Sequence, residues 1–76
     1  MVVEVVGRGC NDYFAILDEV NRFASKKHDV EVVEVSDGAK IAKYGLNMLP
    51  ALLVNGTVRW QGVGVKKEEV KTMLAG

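Results

Sequence analysis

Two valine strings govern what this chain can fold into. Residues 1–6 read M-V-V-E-V-V and residues 30–35 read V-E-V-V-E-V. Each is too short for a stable helix and rich in β-branched side chains, so both are expected as buried parallel strands. Between them, residues 11–27 carry a helical pattern. Phe14, Leu17, Val20, Phe23 and Ala24 recur at spacings of three and four, with Tyr13 and Ile16 flanking the stripe. Asp12, Asp18 and Glu19 lie towards its start, and Lys26, Lys27 and His28 close it, the polarity that a helix dipole favours. Strand, helix and second parallel strand make a right-handed crossover unit.

The second half supplies the rest of a sheet. Ser36 and Asp37 can cap a short helix running to Tyr44, with Gly45 as its stop signal. An irregular stretch then leads to Pro50, the only proline in the chain. Ala51-Leu52-Leu53-Val54 and Thr57-Val58-Arg59-Trp60 flank Asn55-Gly56, a strong hairpin signal. Gly62-Val63-Gly64 reads as a turn; it lacks the spacing and lysine of a phosphate loop. A last helix is expected over residues 66–74, with Val70, Met73 and Leu74 inward. Lys66, Lys67, Glu68, Glu69 and Lys71 face outward. Trp60, Phe14 and Phe23 are expected in the core or on a sheet face. The order β-α-β-α-β-β-α defines an α/β fold, one four-stranded mixed sheet flanked by three helices, as a single domain over residues 1–76.

Composition narrows the function. Ten basic residues balance ten acidic ones, so the formal charge is zero. Nucleic acid and anionic membrane surfaces need a basic footprint and are not expected as partners. The apolar run at residues 49–54 is far too short to span a bilayer. Met1-Val2-Val3-Glu4 lacks the features of a signal peptide. A cytoplasmic monomer is expected. One cysteine cannot build an internal disulfide, and no Cys/His cluster has zinc-site spacing, so no metal and no obligatory cofactor are expected.

That cysteine is the residue that can carry chemistry. Cys10 sits in Gly7-Arg8-Gly9-Cys10-Asn11-Asp12-Tyr13, between the end of the first strand and the start of the first helix. The first N–H groups of a helix are unpaired and carry partial positive charge. A thiol there ionises more readily, and the thiolate is the nucleophile of disulfide exchange. Arg8 can add positive charge or point into water. Gly7 and Gly9 let the backbone bend tightly and leave the sulfur open. The bland alternative is a cysteine that simply fills space. His28 reads as a solvated partner of the helix end.

A strand, a G-x-G-C turn, a helix, a second strand and a later proline before a hairpin together resemble the thioredoxin-fold superfamily. The chain is most similar to its short thioredoxin-like and glutaredoxin-like "redox-active disulfide" branch, over residues 2–74. The resemblance implies that Cys10 is the attacking nucleophile and Pro50 a cis-proline beside it. Leu49 would offer its backbone to the substrate. It also places Tyr13 where such proteins carry the second, resolving cysteine. Tyr13 either covers the helix start or lends its hydroxyl to the sulfur or substrate. Without a second cysteine, the half-reaction that survives is monothiol exchange, with an external thiol such as glutathione as resolver and co-substrate. The expected partner is a disulfide-containing protein or a glutathione-like thiol, and the expected substrate-binding residues are Arg8, Tyr13, Leu49 and Pro50. Two departures bear on glutathione: Met48-Leu49 precede the proline, and Gly62-Val63-Gly64-Val65 offers no acid, which leaves Glu68 or Glu69 as substitutes. Monothiol iron–sulfur carriers share the lone cysteine, but their C-G-F-S motif differs from Cys10-Asn11-Asp12-Tyr13. The alternative function is a redox-inactive module that keeps the fold and binds an extended peptide by main-chain pairing.

Overall fold

The computed structural model describes residues 1–75. Its elements are β1 (Val2–Val6), α1 (Asn11–Ala24), β2 (Glu31–Val35), α2 (Gly38–Lys43), β3 (Ala51–Val54), β4 (Thr57–Gln61) and α3 (Lys67–Ala75). The strands form one sheet in the order β2-β1-β3-β4. β1 pairs in parallel with β2, Val2 opposite Glu31 through Val6 opposite Val35. It pairs antiparallel with β3, Val3 opposite Val54 through Val6 opposite Ala51. This is the four-stranded mixed sheet with three helices that the element order implied.

β1 takes an inner position because it presents valine to both faces. Val3 and Val5 join Leu52 on one face, covered by Tyr13, Ile16 and Val20 of α1 and by Val70 and Leu74 of α3. Val6 joins Val35, Ala51 and Leu53 on the other face, with Ile41 and Tyr44 packed against them. Glu4 also points to that second face, and the Tyr44 hydroxyl donates to its Oε2. This inner strand thus accepts a half-buried carboxylate because a neighbouring hydroxyl satisfies it.

Local signals explain the ends of the elements. Asp37 caps α2 by accepting the Ala39 amide at 3.2 Å. The Lys66 amide is taken by the Glu69 carboxylate at 3.0 Å, half of a capping box that starts α3 at Lys67. Asn55 and Gly56 have φ of 51° and 82°, the positive pair a tight hairpin requires. Asn55 also exchanges bonds with Val2, its amide donating to the Val2 carbonyl and its Oδ1 accepting the Val2 amide.

Two expectations are corrected. α1 ends at Ala24, short of Lys27, because Lys26 and Lys27 bond three residues back, to Phe23 and Ala24, and tighten the last turn. The buried face of α1 is also rotated from the expected stripe. Tyr13, Ile16, Glu19 and Val20 are buried, whereas Phe14 is 55% exposed. Phe14 leaves the core because Tyr13 occupies the inward position, and the two rings meet edge-to-face at 5.3 Å.

Both partly buried hydroxyl contacts favour neutral tyrosine. Burial, then the charge and hydrogen bond of Glu34, raise the Tyr13 pKa above its ordinary 10.0. At Tyr44 the bond to Glu4 is the main cause of a raised value, followed by burial. For an acid whose folded pKa is raised, the stabilisation is whole below pH 10.0 and is lost as pH climbs through the raised values. The urea midpoint should therefore fall between about pH 9 and about pH 11. A Tyr13→Phe/Tyr44→Phe double variant should show a smaller fall, and an equal fall in both proteins contradicts this assignment.

Candidate functional site

Cys10 is the N-cap of α1, with φ −75° and ψ 169°. Its carbonyl accepts the Phe14 amide at 3.1 Å, the first bond of the helix. Its side chain makes no capping hydrogen bond, and the residue is exposed. The backbone therefore serves the helix while the sulfur stays free. Gly9, just before it, has φ of 82°, a conformation that favours glycine and delivers the chain sharply into the helix.

Beneath the thiol loop, three residues interlock. A Cβ placed on Gly7 would stand 2.6 Å from Tyr13 Cδ1 and 3.3 Å from Pro50 Cβ. Gly7 is thus the gap into which the tyrosine ring and the proline close. Its amide donates to the Val35 carbonyl at 3.0 Å, which continues the β1–β2 ladder past Val6. Tyr13 is 3% exposed, and its hydroxyl lies 3.5 Å from Glu34 Oε1, directed towards β2. Pro50 is fully buried, and the Leu49–Pro50 peptide bond is cis.

The segment before Pro50 is held from β4. Gln61 Oε1 accepts the amides of Asn47 at 2.7 Å and Met48 at 3.3 Å. The Gly62 amide donates to the Pro50 carbonyl at 2.9 Å, and Trp60 Nε1 donates to the Gly62 carbonyl at 2.7 Å. Met48 lies against Gly62, where a Cβ would stand 3.2 Å from its Cε, and is otherwise 56% exposed. Leu49 is half-buried against the second core.

The expected site residues thus divide. Gly7, Tyr13 and Pro50 pack directly on one another, with Gly7 three residues before Cys10. Leu49 precedes Pro50 and packs against the second core. Arg8 reaches the start of α2, where its Nη2 would stand 2.9 Å from a Cβ on Gly38. His28 is exposed beyond the far end of α1. The sequence reading missed Gln61, whose role depends on contacts 13 and 14 residues away, and Glu34, whose only local signal is a charged residue in a valine strand. It also missed the burial of Glu19, 3% exposed between α1 and α3. There Oε1 is 3.8 Å from Arg22 and 3.9 Å from Lys67, and Oε2 has no partner among the described residues. Among the described residues no cluster of three or more potential metal ligands occurs, and no helix is long and apolar enough to cross a membrane.

A free thiol at a helix start, three residues after a glycine that packs on a buried proline opening an antiparallel hairpin, is the arrangement of a thioredoxin-type domain. The family model for the thioredoxin domain matches residues 1–75, and the chain belongs to that family. Similar proteins include a thioredoxin from Methanothermobacter thermautotrophicus, 31% identical over 77 residues that cover 99% of each chain. A probable thioredoxin from the same organism is 33% identical over 60 residues, 78% of this chain and 71% of the relative. No solved structure matches the chain significantly. These likenesses support a thioredoxin-family redox role.

The interlock gives a direct expectation. Gly7→Ala must push the Tyr13 ring or Pro50 aside and should destabilise the fold by about 1–3 kcal/mol, the usual range for overpacking. Chemical denaturation of the variant measures it; an unchanged midpoint contradicts the packing described.

Proposed function

We propose that this protein is a monothiol thiol–disulfide oxidoreductase with Cys10 as its nucleophile. The observation that carries the reading is the pairing of an exposed, uncapped sulfur at the start of α1 with a buried tyrosine at the resolving position. The Cys10 thiolate attacks one sulfur of a disulfide R–S–S–R. A Cys10–S–S–R bond forms, the old S–S bond breaks, and the leaving thiolate takes up a proton. A second thiol then attacks the R sulfur, releases Cys10 as thiolate and carries away the oxidised product. The unpaired amides of the first turn of α1 stabilise the thiolate in both steps. The Leu49 backbone, held in place through Gln61 and Gly62, is the ledge for the substrate. Glutathione or a similar thiol is the proposed co-substrate.

The exposure of Phe14, against Gly9, and of Met48, against Gly62, favours one second reading, a module that docks a partner without turnover. The two readings separate on one comparison. Reduction of a small disulfide by excess thiol, followed in the presence of the wild type and of Cys10→Ser, should be accelerated by the wild type alone. Equal rates for the two proteins would leave the docking module as the function. Gln61→Ala should slow the wild-type reaction with a peptide disulfide several-fold, about 1 kcal/mol for the loss of a hydrogen-bonded brace. An unchanged rate contradicts the role given to Gln61.

A further inference from the structure

A cleft of about 410 Å³ lies on the β2 side of the Cys10 loop, lined by Arg8, Gly9, Tyr13, Phe14, Glu34 and Ser36. Neither Leu49 nor Pro50 lines it, so it is distinct from the proline ledge. Gly9 is bonded to Cys10 and Phe14 donates its amide to the Cys10 carbonyl, so two walls of the cleft flank the cysteine, which does not itself line it. Its walls differ chemically. Phe14 offers an exposed ring. Arg8 brings a guanidinium and Glu34 a carboxylate, and neither makes an ion pair among the described residues. The Tyr13 hydroxyl at 3.5 Å steadies the Glu34 carboxylate from within the fold.

An unpaired cation and an unpaired anion facing one small cleft complement a molecule that carries both charges. Building on the monothiol reading, we propose that this cleft binds the small partner of the exchange, a thiol or disulfide bearing an α-amino acid group. Its carboxylate meets Arg8, its ammonium meets Glu34, and its aliphatic stem lies on Phe14. Bound so, a small disulfide presents a sulfur to Cys10 and leaves one half as free thiol. In the return step a thiol of the same class attacks the Cys10-bound fragment and leaves as the disulfide, so sulfur oxidation states balance over the cycle. The acid that the residues 62–65 turn does not supply is supplied from β2.

Four symmetric disulfides test the charge requirement: cystine with both charges, cystamine with ammonium groups, dithiodipropionate with carboxylates, and neutral hydroxyethyl disulfide. The readout is the rate of the Cys10 adduct by intact mass, each rate expressed relative to hydroxyethyl disulfide for the same protein. Arg8→Ala should lower the relative rates of cystine and dithiodipropionate roughly fivefold, and Glu34→Gln those of cystine and cystamine by a similar factor, the scale of an exposed charge pair. Relative rates that ignore either substitution, with adducts still formed, overturn the cleft and leave the monothiol reading standing. The absence of any adduct on the wild type overturns both.

Discussion

The packing of the Tyr13 ring into the space left by Gly7 is the contact on which the rest of the site depends. It joins the end of β1 and the first turn of α1 to the proline that opens β3, which is more than 35 residues further along the chain. Because the ring occupies that space, the turn between Gly7 and Cys10 must lie outside it, and the sulfur emerges into solvent at the helix start. By the resemblance to the short thioredoxin-like branch, the same ring stands at the position of the resolving cysteine. Structural need and chemical consequence are therefore one choice of side chain: an aromatic keystone for the fold, and a thiol with no partner in its own chain.

Around this keystone the site has two unlike flanks. On the β3 side, the segment before Pro50 is fixed by uncharged contacts, the Gln61 carboxamide and the Gly62 backbone, with Met48 lying over the glycine. Main-chain groups and apolar surface suit an extended polypeptide. On the β2 side, Arg8, Glu34 and Ser36 make a short polar cleft better matched to a small charged molecule. Under the monothiol function proposed above, which needs both a substrate and an external resolver, the two flanks would divide these roles without a second cysteine.

Much of the fold was legible because its signals are local. The valine strings, the Asp37 cap and the Asn55-Gly56 turn each act within a few residues. Cys10 and Pro50 were legible by position between elements. The rotation of α1 was not, because Tyr13 and Phe14 are adjacent aromatics and either phase buries one of them. The inward Glu19 further disguises the true face, since a pattern of apolar residues cannot anticipate a carboxylate shared between Arg22 and Lys67. The bonds from Tyr44 to Glu4 and from Tyr13 to Glu34 span 40 and 21 residues, and only the folded register brings them together. Thus the position of the cysteine at the helix start could be read from sequence, whereas the residues that shape its surroundings could not.

The most direct measurement traps the protein in the middle of its cycle. A small disulfide and excess thiol are allowed to react in its presence, the mixture is quenched with acid at intervals, and the intact protein is weighed. One small-thiol adduct on Cys10 should appear while disulfide remains and disappear when it is exhausted. Protein that stays unmodified throughout, or that is found only as a Cys10-linked dimer, would contradict a site built for exchange with an external thiol.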